Sequence, residues 1–160
     1  MYKDALRAAW AEINITNLDF NIKQIKEKVG SGVKITGVVK ADAYGHGSVR
    51  VATVLRANGI ESFAVATLSE AVRLRKAGFL LEEIMVLSPI PEPYIDTIIE
   101  HRLSPVVCDY KNAEAISKAA AAAGIIIKGY IAVDTGMGRI GYSDDVTSVE
   151  DVKMIAGLSN

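Results

Sequence analysis

The sequence predicts an α/β protein built on parallel strands. Strand-like apolar runs alternate with amphipathic helical patterns along almost the whole chain. Each unit reads strand first and helix second, with Gly, Pro or Asn between them. From Val33 onward this unit occurs five times. Strands that follow one another through helices lie parallel, joined by right-handed crossovers.

The elements follow in order. Trp10–Ile15 reads as a first strand, and Asn17 as the cap of a helix that runs to Val29 and stops at Gly30-Ser31-Gly32. Val33–Val39 is a continuous β-branched run, the pattern of a strand buried on both faces. A loop, Lys40–Gly47, leads into a helix over Val49–Ala57 that ends at Asn58-Gly59. Ser62–Ala66 is a strand and Leu68–Lys76 a helix closed by Gly78. Ile84–Leu87 is a short strand, and prolines 89, 91 and 93 introduce a helix reaching His101. Pro105–Cys108 is a strand, followed by a helix over Asn112–Ala123. Ile125–Val133 reads as a long strand, Asp134–Tyr142 as a loop and Ser148–Ala156 as a last helix.

Composition narrows the function. The 160 residues are 50% hydrophobic, which excludes global disorder, and the formal net charge is only -1. That balance argues against a general nucleic-acid or membrane-surface binder. The longest stretch without a polar side chain is Ala119–Ile127, far short of the ~20 residues a spanning helix needs. Met1–Trp10 carries Lys3, Asp4 and Arg7 and no signal-peptide pattern, so a cytoplasmic protein is expected. A single cysteine, Cys108, leaves no internal disulfide and no cysteine-based zinc cluster, and no metal site is expected. Glu82-Glu83 and Asp144-Asp145 read as solvated turns, and His101 as a charge at a helix end.

Five strand–helix units suit two architectures: a complete flavodoxin-like open sheet, or five-eighths of a TIM-type (β/α)8 barrel. Periodicity leaves both open. In either, chemistry gathers beyond the carboxyl ends of the strands.

One such end is Val38-Val39-Lys40-Ala41-Asp42-Ala43-Tyr44-Gly45-His46-Gly47. A lysine at the end of an apolar strand loses its proton at reduced cost, because desolvation disfavours the ammonium. A neutral amine on a rigid strand is what Schiff-base chemistry with an aldehyde requires. Glycines 45 and 47 let the backbone turn closely, and the Tyr44 hydroxyl can reach a phosphate oxygen. A second strand end, Asp134-Thr135-Gly136-Met137-Gly138-Arg139-Ile140-Gly141-Tyr142, sets an arginine in a glycine-rich loop, where its guanidinium suits a carboxylate or phenolate. Asp134 reads as a brace of that loop.

The first of these strings closely resembles the pyridoxal-phosphate lysine motif of the alanine racemase family, K-A-[ND]-A-Y-G-H-G. The second resembles the family's D-T-G-M-G-R-[IL]-G loop. Ala9-Trp10-Ala11-Glu12-Ile13, Ala64-Val65-Ala66 and Ser69-Glu70-Ala71 extend the likeness from Ala9 to the last residue, in register.

The resemblance implies a TIM-type barrel, of which residues 1–160 form the N-terminal part, without three βα units and a C-terminal β-domain. It implies a pyridoxal 5'-phosphate-dependent isomerase interconverting L- and D-alanine for peptidoglycan, a homodimer when whole and inactive as these 160 residues alone. Lys40 then carries the cofactor as an aldimine and serves as one catalytic base. Tyr44 binds the cofactor phosphate, Val38 and Leu87 line the cofactor pocket, and Arg139 binds the substrate carboxylate and the ring oxygen. His46 is a supporting hydrogen-bonding group. Where the family often carries a carbamylated lysine that braces the arginine, this chain has Ala132. Racemases of serine, ornithine or broad specificity, or a non-catalytic pyridoxal-phosphate barrel protein, are the alternatives.

Overall fold

The computed structural model describes residues 9–160; residues 1–8, most of the stretch read above for a signal peptide, lie outside them. Helix α1 (Ile15–Val29) precedes β1 (Thr36–Val38), and α2 (Ser48–Ala57) leads to β2 (Ser62–Val65). Then come α3 (Leu68–Lys76), β3 (Glu83–Val86), a 3₁₀ turn (Glu92–Tyr94) running into α4 (Ile95–His101), and β4 (Ser104–Val107). Helix α5 (Tyr110–Ala122), β5 (Tyr130–Ile131) and α6 (Val146–Ala156) complete the order.

The strands form one parallel sheet in the order β1-β2-β3-β4-β5. A flavodoxin-like sheet reverses direction at its switch point and runs 2-1-3-4-5. An unbroken sequential order is that of a TIM-type barrel, so these are five βα units of one.

The helical side of the sheet carries the core. Phe63 and Phe79 meet edge to face at 5.4 Å, among fully buried Val39, Val65, Leu74, Ile84, Val86 and Ile98. Gly37 lies on this side because a Cβ there would stand 2.6 Å from Leu55 Cδ1 and 3.2 Å from the Phe63 ring. The other face is polar near the amino ends of the strands. The Thr36 and Ser62 hydroxyls bond at 3.0 Å, and Glu83 accepts from Tyr130 at 2.6 Å, Lys128 at 2.9 Å and the Ser104 hydroxyl at 3.3 Å. Glu83 is therefore a strand residue inside a polar network and not a solvated turn; Glu82 pairs with Arg56 at 3.3 Å.

Other expectations need correction. Residues 10–14 form no strand: the Asn14 side chain accepts the Asn17 N–H at 3.0 Å, so the helix begins at Ile15 and Asn14 is its cap, in place of Asn17. The run Val33–Val39 pairs only over Thr36–Val38. The long strand expected at Ile125–Val133 reduces to Tyr130–Ile131, the residues that find partners in Val106 and Val107. Apolar runs mark extended backbone, but a ladder exists only where a neighbouring strand supplies partners.

Candidate active site

Parallel strands bring all their carboxyl ends to one edge of the sheet. Lys40 follows β1, Leu87 follows β3, and the loop bearing Arg139 follows β5. The fold therefore gathers the sequence-predicted residues at one end. Val38, 56% exposed, turns away from the helical core that buries Val39. Lys40 and Leu87 are half-buried, and Tyr44 and Arg139 are exposed.

The segment expected to be a plain loop is a left-handed helical turn. Ala41, Asp42, Ala43 and Tyr44 have φ of 51°, 54°, 53° and 50°. Left-handed backbone costs roughly 1–2 kcal/mol per non-glycine residue, so four in succession persist only where surroundings hold them. Gly45, with φ 87°, and Gly47, also 87°, carry the chain out at no such cost.

Two carboxylates hold the turn. Glu70 at the start of α3 accepts the Ala41 N–H with one oxygen at 2.6 Å, and the Ala66 and Thr67 N–H groups with the other at 2.7 and 3.2 Å. Asp42 Oδ1 accepts the Ser48 N–H at 2.8 Å and the Ser48 hydroxyl at 3.0 Å, and pairs with Arg73 at 3.2 Å. These bonds hold the Asp42 carboxyl below the usual aspartate range, the Ser48 N–H foremost and the Arg73 charge least. His46 closes the turn, its Nδ1 2.8 Å from the Ala43 carbonyl. Neither Glu70 nor Arg73 stood out as a site residue in the sequence. Thr67-x-x-Glu70 is a capping-box pattern, and that was the available signal.

The arginine loop is closed differently. Tyr142 N–H donates to the Ala132 carbonyl at 2.9 Å and Asp134 N–H to the Tyr142 carbonyl at 2.8 Å. Within the loop, Asp134 Oδ1 accepts the Gly136 and Gly138 N–H groups at 2.9 and 3.0 Å, the role expected of it. Those backbone donors, Gly138 first, lower the Asp134 pKa. Arg139 Nε contacts Met137 Sδ at 3.1 Å.

Residues 13–160 match the family described as alanine racemase, N-terminal domain. The chain belongs to that family. It is 48% identical over 154 residues to an alanine racemase of Clostridium kluyveri, covering 96% of this chain and 39% of that protein. The structure superposes on alanine racemase of Clostridium difficile 630 with a TM-score of 0.91 at 33% identity, over 98% of this chain and 41% of that one. A histidine racemase from Leuconostoc mesenteroides matches with a TM-score of 0.78 at 26% identity, over 91% of this chain and 38% of that one. The chain thus spans about two-fifths of the length of these relatives. Among the described residues no helix is long and apolar enough to cross a membrane.

Proposed function

We propose that this chain is the lysine-bearing part of a pyridoxal 5'-phosphate-dependent alanine racemase, a cytoplasmic homodimer supplying D-alanine for peptidoglycan. Residues 1–160 are then the N-terminal part of its barrel domain. The observation that carries the reading is Lys40 at the carboxyl end of β1, followed at once by the left-handed turn Ala41–Tyr44 within the family's lysine motif.

The residues suit the cofactor. A primary amine for an aldehyde, a phenol for a phosphate and a guanidinium for an anionic oxygen stand at one end of the sheet, with an exposed apolar Val38 beside them. When bound, the cofactor supplies an electron-withdrawing ring that lowers the cost of ionising the substrate Cα–H bond. Lys40 would hold the group through its amine and would move a proton at the substrate Cα on its own face. Tyr44 donates to the phosphate, and Arg139 to the substrate carboxylate or the ring oxygen. Val38 and Leu87 would line the cofactor pocket. Racemisation also requires a proton donor on the opposite face, and none of these residues fills that role.

A racemase for another amino acid is the second reading, favoured by the likeness to the histidine racemase. In the whole protein, borohydride should fix the cofactor to Lys40, and Lys40→Ala should abolish both the yellow colour and turnover of alanine. Label recovered on Lys34, which precedes β1 at the opposite end of the sheet, overturns the assignment.

A further inference from the structure

We propose that Glu70 is a positioning residue for Lys40: one carboxylate oxygen caps α3, and the other fixes the left-handed turn that aims the lysine. The role rests on the reading of Lys40 given above. The residues on both sides of Lys40, Val39 and Ala41, are tied through their N–H groups to the neighbouring unit. Before it, Val39 N–H donates to the Ala64 carbonyl of β2 at 2.9 Å. After it, Ala41 N–H donates to Glu70 Oε1 at 2.6 Å. Glu70 cannot drift, because its second oxygen holds the Ala66 and Thr67 N–H groups where β2 ends and α3 begins. Its own N–H is taken by the Thr67 hydroxyl, at 3.4 Å. Lys40 therefore sits between two anchors, both belonging to the second βα unit.

The arrangement exceeds what a helix cap needs. A capping box uses one side-chain oxygen and is served as well by Gln as by Glu. Here the first residue of a disfavoured backbone stretch depends on the other oxygen. Without that acceptor Ala41 loses the bond opposing its return to right-handed φ, and a change of hand at Ala41 redirects the chain just after Lys40. Reacting groups must be held within about 0.5 Å of productive geometry, so such a shift reaches the chemistry although Glu70 touches neither substrate nor cofactor.

Glu70→Gln separates the two duties. Its carbonyl oxygen can keep the Ala66 and Thr67 bonds, but its amide is a donor and cannot accept from Ala41. The whole protein and this variant are compared by hydrogen exchange without cofactor, by pyridoxal phosphate titration and by alanine kinetics. Exchange at the Ala41 amide should rise on the order of tenfold, while Ala66, Thr67 and the thermal midpoint stay unchanged. Cofactor affinity and kcat should each fall on the order of tenfold, with KM for alanine within about twofold. Unchanged exchange at Ala41, or unchanged cofactor affinity and kcat, overturns the role and leaves Glu70 a helix cap. Should the unaltered protein take up no cofactor on Lys40, the functional reading fails, and this role with it.

Discussion

Asp42 caps helix α2 from six residues upstream, its Oδ1 accepting both the N–H of Ser48 at 2.8 Å and its hydroxyl at 3.0 Å. The residue at the cap position itself, Gly47, has no side chain to do this. The carboxylate that starts α2 therefore belongs to the left-handed turn, and the helix and the turn support each other.

Acid should undo this link. The folded state lowers the Asp42 pKa, chiefly through the Ser48 N–H, so its stabilisation is complete above the ordinary aspartate value of 3.8 and is lost as pH falls through the folded value. Asp42→Ala should lower the thermal midpoint at neutral pH, with the gap to the unaltered protein closing in acid. A gap independent of pH would mean that the carboxylate charge plays no part.

Gly141 should tolerate no side chain. Its φ is 109°, and a Cβ would stand 2.8 Å from the Ala132 carbonyl carbon and 2.9 Å from both the Ala132 oxygen and Asp134 N. These are backbone atoms of the segment that Tyr142 pairs with, so they cannot swing aside. Gly141→Ala should cost about 2–3 kcal/mol in denaturant unfolding and displace the Arg139 loop. An unchanged unfolding midpoint with unchanged kinetics would contradict the geometry.

If Arg139 binds the substrate carboxylate as proposed, Arg139→Lys in the whole protein should lower kcat/KM for alanine roughly 10–100-fold, since lysine cannot reproduce the planar fork. Ala132→Lys should place an amine near that loop and make activity rise with added bicarbonate. Steady-state kinetics at several bicarbonate levels check both, and an Arg139→Lys protein with unaltered kinetics would leave the loop a purely structural feature.

Arg75 should matter to stability alone. It is 9% exposed and donates to four backbone carbonyls, those of Phe79, Glu82, His101 and Arg102, binding the end of α3 to the end of α4 and the approach to β3. Lysine carries too few donors to serve four acceptors in one plane. Arg75→Lys should destabilise by roughly 3 kcal/mol in denaturant unfolding, with kcat and KM preserved in the folded fraction. A loss of kcat at full folding would implicate Arg75 in the site.

The sequence by itself determined the order and kind of most elements. The bounds of α3 are those its pattern predicts, because Thr67 and Glu70 cap it locally and Gly78 follows it, all within one short window. Helix α5 and strands β2 to β4 likewise lie within one or two residues of their predicted positions. The motif around Lys40 was legible too, since consecutive residues carry it.

Tertiary structure decided what depends on residues far apart in the chain. Strand extent was one such matter: Ile126 is 78% exposed and outside any ladder, although its β-branched neighbours promised a strand. The hand of the turn after Lys40 was another. No local propensity favours left-handed φ at two alanines, an aspartate and a tyrosine, and the acceptor for the Ala41 N–H is 29 residues away. Periodicity left open sheet and barrel both possible; the resemblance of the motifs implied the barrel, and the sequential strand order bears it out. Helix caps and periodicity are local energies and can be read along the chain, whereas a ladder partner or a distant carboxylate acts only once folding brings it within hydrogen-bond reach.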